Sequence, residues 1–503
     1  MNRLALHWQI LIGMIVGATI GISLNFSVGE RVTSVPDKEL PAGLTSLEIS
    51  DSPSLIRITF TRDNEMAKEI VVDGTRKTKG ALTTVEQLAE KEPEAAKWFQ
   101  TFGRSRARYI GDGAKRLGGL FLRLLQMVAV PLIVTSLVTG VTGLGDASRL
   151  GKMFSRTLLY YLSTSLIAIV IGVTMVNVFR PGITDREDVP IIEAGQTSDQ
   201  TLGELLFEQL ETMIPSNPIA ALADASFLSI ISFSLAFSIF AVIVGGRTLE
   251  IIREFFDAAF DVMMAMTMAI IRLAPLGVTF MMLYVTATQG PAVFRSLAMY
   301  MITVLVSLAC HALIVLPAIL HFVAKKNPWK FAQAMSPALL TAFSSASSNG
   351  SLPLTMACVE KRAGVSNRVS SFVLPLGATI NMDGTALYEA VAVLFISQLY
   401  HGALLPLDQQ ILVAVTALLA SIGAAGIPHA GLVMMVIILQ AVKLPIEMQG
   451  IILAVDRVLD MCRTSVNVWS DACGCAVVAR FEAHSGTPTA EATEAVPLPL
   501  DEK

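Results

Sequence analysis

Long apolar runs separated by short polar ones dominate this chain. The first, Leu4 to Phe26, is too long for the core of a cleaved leader and reads as a retained membrane anchor. Six more, at 118–145, 153–179, 219–246, 258–288, 293–324 and 369–400, are each long enough to cross a bilayer as a helix. Two others, 331–358 and 406–442, are interrupted by small and helix-breaking residues. The first break runs from Ser344 through Ser345, Ala346, Ser347, Ser348, Asn349, Gly350 and Ser351 to Leu352-Pro353. The second runs from Gly423 through Pro428 and His429 to Gly431. Broken backbone is tolerated at membrane depth only where it lines a cavity or is covered by protein, so a pair of such breaks points to a transport site. Two ordinary kinked helices are the plainer alternative.

A different pattern holds in 27–117, which is polar. There Ile56, Ile58 and Phe60 alternate with Arg57, Thr59 and Thr61, as in a half-buried strand, and Val71-Val72-Asp73-Gly74 signals a hairpin. Thr83 to Phe99 has the start signals of one helix. The expected object is a small α+β insertion in water, with no site in it.

The last apolar run, 451–480, carries charge. Asp456, Asp460, Arg463, Asn467 and Asp471 follow each other at helical spacing and fall within an arc of roughly 80°. Each charge near the centre of a spanning helix costs about 2.5–3.5 kcal/mol. Such a stripe is either a structural ion-pair network or the lining of a binding site, and its density favours the site. A second polar patch, Gly377 to Glu389, puts Thr379, Asn381, Asp383 and Thr385 in the middle of an apolar segment. Loosened carbonyls with Asn381 and Asp383 make a hard-oxygen site for a dehydrated monovalent cation. Tyr161, Thr164 and Ser165 add three more oxygens at helical spacing. Glu389 has no basic neighbour in sequence, so it could take up a proton on one side of a membrane and release it on the other.

Composition agrees with the pattern. The 503 residues are 53% hydrophobic and 16% charged, with mean hydropathy +0.62, which makes this a polytopic membrane protein. A net charge of −4 argues against a nucleic-acid partner. The five cysteines suggest no disulfide framework. Cys473 and Cys475 read as small packing residues, because no histidine or further cysteine stands close by to complete a metal site. No phosphate-binding glycine loop is present, so uphill work would draw on an ion gradient. Lysines and arginines cluster in the loops around 149–156, 247–253, 325–330 and 361–368, whereas 185–211 is acidic. The positive-inside rule then places both termini in the cytoplasm, the 27–117 insertion outside, and both broken segments as re-entrant hairpins.

These runs resemble the glutamate transporter family, the dicarboxylate/amino acid:cation symporters. The resemblance rests on Gly350-Ser351-Leu352-Pro353, Leu374 to Tyr388, Gly423 to Gly431 and Asp456 to Asp471, together with Phe121-Leu122-Arg123-Leu124-Leu125 followed by Pro131-Leu132. It covers nearly all of 1–26 and 118–482. It implies an all-α polytopic membrane protein with eight transmembrane helices, two re-entrant hairpins and the extramembrane insertion. The first helix would occupy 1–26, the insertion 27–117, further scaffold and transport helices 118–327, a transport core 328–482 and a disordered cytoplasmic tail 483–503. The expected assembly is a homotrimer in the plasma membrane, in contact with lipid, that moves its transport core like an elevator.

The same resemblance implies roles. Arg463 would hold the side-chain carboxylate of an acidic amino acid, assisted by Thr385 and the backbone of Gly431. Asp460 would take the α-ammonium with Thr464 and the carbonyls of Ala346 and Ile427. Asn467 and the Ser348 amide would hold the α-carboxylate, with Ser347 in the same substrate set. One sodium would use Asp471 with the carbonyls of Gly377, Asn381 and Asn467. A second would use carbonyls of Thr379, Ser421, Ile422 and Ala424. A third would use Asp383, Asn381, Tyr161, Thr164 and Ser165. Sodium is thus a co-transported ligand and no cofactor is expected; the proton, through Glu389, is a second coupling ion and potassium a candidate returning ion.

Three features depart from the family's pattern. The 27–117 insertion is long, Ala346 and Met461 stand where an extra arginine is usual, and His429 sits at a hairpin tip. Among rival functions, Arg463 argues against a neutral amino-acid exchanger and Asp460 against a C4-dicarboxylate carrier. A serine hydrolase built on Ser347, Ser348 and His429 lacks the nucleophile-elbow motif. An ion channel is the remaining alternative, and counterflow distinguishes it from a carrier.

Overall fold

The computed structural model describes residues 6–52, 55–62, 66–73, 78, 81–82, 85–143, 151–183, 202–423, 426 and 430–483. Outside these fall Gly74, Thr83, Arg149, most of the acidic 185–211 segment, Ala424, Ile427, His429 and the tail beyond Ala483.

The chain opens with α1 (Leu6–Val28) and then enters a four-stranded antiparallel sheet of order β1-β2-β3-β4. Its strands are β1 (Arg31–Ser34), β2 (Leu44–Asp51), β3 (Leu55–Arg62) and β4 (Lys68–Asp73). The alternation expected at Ile56, Ile58 and Phe60 is present, all three being buried. Ile58 pairs with Ile49 on one side and Ile70 on the other, so one face stacks aliphatic side chains from three strands. That face is covered by Leu88, Ala95, Ala96 and Phe99 from α2 (Val85–Lys91), α3 (Pro93–Trp98) and the turn after them. The single helix expected over 83–99 is therefore two. Pro93 cannot continue the backbone bonding and forces Glu92 out of the helical region, to φ −136°, ψ 68°.

The next helix, α4 (Arg106–Thr142), starts well before the apolar run at 118. Ser105 caps it by accepting from the Arg108 amide. Asp51 at the end of β2 accepts from the Ser105 amide at 2.8 Å and from Arg108 Nε at 3.0 Å, which fastens the sheet to the helix.

α5 (Lys152–Phe179) follows, then α6 (Leu202–Met213), α7 (Pro218–Ala223) and α8 (Phe227–Val244). The apolar run 258–288 is not one rod: α9 (Gly246–Ile271) and α10 (Ala274–Gln289) meet at a 47° bend. α11 (Val293–Cys310) continues through a π turn at His311–Val315 into α12 (Leu316–Phe322). Among the described residues five helices are long and apolar enough to cross a membrane, six if the bent α9–α10 pair counts as one. The protein is a mostly helical, polytopic membrane protein.

Each interrupted segment contributes a pair of helices. The first is α13 (Pro328–Ser345) with α14 (Ser348–Ala357), and the second is α17 (Leu407–Gly423) with α18 (Ala430–Ala441). Between them in sequence lie α15 (Asn367–Ile380) and α16 (Asp383–His401), separated by two unwound residues, Asn381 and Met382. The chain closes on α19 (Leu453–Ala483).

Packing sorts these helices into two groups. α1 lies along α10, and α4 is packed by α10, α9 and α8. Gly13, Gly17 and Gly21 let α1 approach closely, since a Cβ at Gly17 would stand 2.3 Å from the Thr279 carbonyl. In the second group, α5 packs on α16, while α13 and α15 flank α19. The sheet domain reaches across to this second group. Gln87 Nε2 donates to the Tyr400 carbonyl at 2.6 Å, and the Tyr400 hydroxyl donates to Glu90 at 3.0 Å.

Candidate functional site

α19 brings its stripe into the interior. Asp456, Asp460, Arg463, Asn467 and Asp471 are all buried, none more than 3% exposed. Charges held this far from water need partners. Arg463 donates from Nε to Asp460 Oδ1 at 3.0 Å, and its Nη2 lies 2.8 Å from the same oxygen. The guanidinium lies over the Tyr388 ring, 4.4 Å from its centroid, and the Tyr388 hydroxyl donates to Asp456 at 2.7 Å. Among the described residues Arg463 Nη1 has no hydrogen-bond partner; it stands 3.6 Å from Asp456 and faces Gly431 at the start of α18. A Cβ at Gly431 would meet that nitrogen at 2.2 Å, so glycine is what allows the cation to reach the second tip.

The unwound stretch between α15 and α16 is bound by the next turns of α19. Asn467 accepts from the Gly384 amide at 2.8 Å and donates to Thr385 at 3.0 Å. Asn381 donates to Asp471 at 2.8 Å and to Ser470 at 3.1 Å, while its own Oδ1 is buried without a partner. Gly377 lies so close that a Cβ there would be 2.4 Å from Asp471 and 2.7 Å from the Tyr161 hydroxyl. Tyr161 itself donates to the Val373 carbonyl at 2.7 Å. Oxygens of Asp471, Asn381 and Tyr161 thus gather beside the Gly377 backbone, and the orphaned Asn381 Oδ1 has the character a sodium ion requires.

Asp383 forms the second gathering. Ser165 donates to it at 2.6 Å, Thr164 at 3.3 Å and Ser470 at 2.7 Å. Thr164 and Ser165 therefore stand beside Asp383, whereas Tyr161 sits nearer Asp471.

The two tips touch. Ser347 donates to the Gly426 carbonyl at 2.8 Å, and the Asn349 amide donates to the same oxygen at 3.1 Å. Ser347 also caps α14 through the Gly350 amide. Ala346 holds a left-handed φ of +51° at the turn and is buried, as are Ser348 and Thr464. Thr379 packs on Gly140 of α4, Ser421 is buried in the last turn of α17, and Ile422 is half-buried beside it. Ala424 and Ile427 lie outside the described residues. A face of two opposed tips, a buried guanidinium and carboxylate, and clustered oxygens can bind a small zwitterion together with alkali cations.

Comparison with known proteins decides the family. The sequence profile of the sodium:dicarboxylate symporter family matches residues 6–481. The chain belongs to that family. It is similar to excitatory amino acid transporter 3 of Mus musculus, 37% identical over 412 residues, covering 72% of this chain and 78% of the relative. It is equally similar to excitatory amino acid transporter 2 of Mus musculus, 37% over 414 residues, with 72% of each covered. An excitatory amino acid transporter of Caenorhabditis elegans is 37% identical over 406 residues, covering 72% of this chain and 80% of the relative. This symporter is a transporter and not an enzyme.

The sequence reading missed three groups in the symporter's interior. Ser470 bridges Asn381 and Asp383. His311, fully buried in the π turn, places Nε2 at 3.0 Å from Asp383 Oδ2. Arg457, 8% exposed, lies next to the stripe. For His311 no local signal exists, because its partner is 72 residues away. For Arg457 the signal was a guanidinium in an apolar segment, directly after Asp456. Glu389 is fully buried, neither of its oxygens has a hydrogen-bond partner among the described residues, and Arg463 is the charge that acts on it.

Proposed function

We propose that this symporter imports an acidic amino acid, aspartate or glutamate, together with sodium ions and a proton. One observation carries the reading: a buried arginine and a buried aspartate on one helix, Arg463 and Asp460, paired beneath the touching tips of two helical hairpins. A substrate with an ammonium and two carboxylates can satisfy both partners at once. Its side-chain carboxylate takes the guanidinium as a two-pronged ion pair, starting from the open Nη1 at Gly431. Its ammonium then takes the vacated Asp460 Oδ1. Asn467 and the Ser348 amide at the α14 N-terminus meet the α-carboxylate. The names of the relatives, excitatory amino acid transporters, support this substrate class. The family's description speaks of dicarboxylates, but a dicarboxylate offers Asp460 no ammonium.

Sodium enters as cargo. Asp471 with the carbonyls of Gly377, Asn381 and Asn467 would hold one ion, Asp383 with Asn381, Tyr161, Thr164 and Ser165 a second, and the carbonyls of Thr379, Ser421, Ile422 and Ala424 a third. Bound cations would neutralise carboxylates that the apolar core otherwise disfavours, so ions and substrate would load together. Glu389 would carry the proton, and potassium is the candidate for returning the empty carrier.

The rest of the reading is architectural. Eight spans and two re-entrant hairpins would place both termini in the cytoplasm and the sheet domain outside, in a plasma-membrane homotrimer. The α5 and α11–α19 group would slide as an elevator against α1, α4 and α8–α10. The division into two packed groups supports this. The decisive experiment is radiolabelled aspartate uptake into proteoliposomes under imposed sodium, proton and potassium gradients. Uptake driven by inward sodium is expected. Wild-type uptake that persists without sodium, on a proton gradient alone, would overturn the sodium coupling.

A further inference from the structure

Around the exit of α12 the surface carries charge of a single sign. Residues 316–370 hold six lysines and arginines and one acid, Glu360. Lys325, Lys330, Lys361, Arg362 and Arg368 are all exposed, and among the described residues none of them is in an ion pair. Glu360 does not offset them, because its carboxylate accepts from Asn367 and Ser370 instead. The fold gathers these cations from separate loops. Lys326 Nζ donates to the Ala363 carbonyl at 2.8 Å, which ties the exit of α12 to the residue after the π turn at Cys358–Arg362. A general excess of basic residues at helix ends does not require such a surface. The basic start of α9 sets Arg247 and Arg253 among Glu250, Glu254, Asp257 and Asp261, and Arg253 pairs with Asp257 at 3.6 Å. That stretch neutralises itself; the one around α12 does not.

Depth and side-chain type say what the patch meets. α11 through α12 is a run of membrane length, Phe294–Phe322, and Lys325 follows three residues after its end. Beside the cations, Phe322 is 67% exposed and Trp329 is 74% exposed. Aromatic rings next to lysines at the end of a span are the composition of a headgroup-level belt. A soluble acidic partner would leave the rings without a role, and a neutral leaflet would leave the cations without one. We infer that this patch binds the headgroups of anionic phospholipids: Lys325, Lys330, Lys361 and Arg362 hold the phosphates, while Trp329 and Phe322 enter the adjoining acyl boundary. Each basic residue near an anionic surface strengthens the attraction roughly fivefold, within about 10 Å at ordinary salt. This binding does not depend on which substrate the protein carries. Under the proposed elevator motion, headgroups held here would resist displacement of this end of the core, so leaflet composition would enter the transport rate.

The test reads the lipid beside Trp329. Full-length protein is reconstituted in vesicles of equal phosphatidylcholine and phosphatidylglycerol, with bromine on the acyl chains of one lipid or the other. Subtracting the tryptophan signal of Trp329→Phe from that of the wild type isolates this ring from Trp8, Trp98 and Trp469. Quenching of Trp329 should be about threefold stronger with brominated phosphatidylglycerol, and the preference should vanish in about 1 M salt. In a variant carrying Lys325→Gln, Lys330→Gln, Lys361→Gln and Arg362→Gln together, the two lipids should quench equally. Equal quenching in the wild type at low salt overturns the proposal, as does a preference that survives either the salt or the four substitutions. Should that variant fail to assemble, Lys325→Gln with Lys330→Gln decides. A preference cut at least by half supports the site, and an unchanged one overturns it. Absence of aspartate uptake in the same vesicles would count against the transport reading alone.

Discussion

The sheet domain and the α15–α16–α19 core of this symporter invert each other. In the sheet domain Ile49, Ile58, Leu88 and Phe99 fill the interior, and an ion pair such as Arg57–Glu69 lies on the surface with about half of each side chain exposed. Such a pair contributes little, because water would solvate both partners nearly as well. In the core, Asp456, Asp460 and Arg463 are interior: Arg463 pairs with both aspartates on its own helix, and Tyr388 of α16 meets Asp456 and the guanidinium. There the same chemistry is costly, and removing one member leaves another charge stranded. The difference separates what each region is for. The sheet domain is stabilised by apolar burial; the core instead keeps polar groups in its interior, where the proposed site would use them.

Substitutions can break this contrast, and the largest effect belongs to Arg463. In Arg463→Cys, acidic amino-acid uptake should fall by about a thousandfold or more, since a buried two-pronged ion pair is lost. Serine or alanine should become ligands, detectable as counterflow. Unchanged aspartate affinity would remove Arg463 from the site. Next come Asp383→Asn and Asp471→Asn, each replacing a carboxylate among clustered oxygens by a neutral isostere. The sodium concentration for half-maximal uptake should rise about tenfold or more in both. An unaltered sodium requirement would reduce the cluster to structural hydrogen bonding.

Glu389→Gln is expected to act more narrowly. Net uptake should stop responding to an imposed pH gradient, while exchange of internal for external substrate survives. The assay needs runs with and without internal potassium, because a carboxyl that serves potassium would give the same loss in one of them. A pH response equal to the wild type's would return Glu389 to the role of a silent buried acid. The smallest effect on transport should come from the sheet domain. Ile58→Ala should destabilise that domain by about 3 kcal/mol, seen as faster proteolysis or hydrogen exchange there, with the KM for aspartate unmoved. A shifted KM would show that the two regions are energetically coupled.

Much of this was legible in the sequence, and for local reasons. The period-two pattern at Ile56–Phe60, the Ser-rich and Gly-rich interruptions and the α19 stripe are all properties of neighbours along the chain. What escaped depended on punctuation or on distance. Pro93 splits a helix that composition alone would continue. α4 begins in a polar stretch containing Arg106, Arg108, Asp112, Lys115 and Arg116, which an apolar-run criterion passes over. Arg457 points about 100° away from its neighbour Asp456 on the helix, so it fell off the stripe although its long side chain still reaches Asp460. His311 and Ser470 gain their meaning only when folding brings Asp383 to them.

The bonds between Gln87, Glu90 and Tyr400 tie the C-terminal end of α16 to a domain built between α1 and α4. A hydrogen bond is lost once its partners separate by about 1 Å, so any travel of α16 past those two helices releases both contacts together. In the proposed elevator the pair would act as a detent: at about 1 kcal/mol each, the two bonds would bias the resting position by more than tenfold and set a threshold at one end of the stroke without adding drag along it.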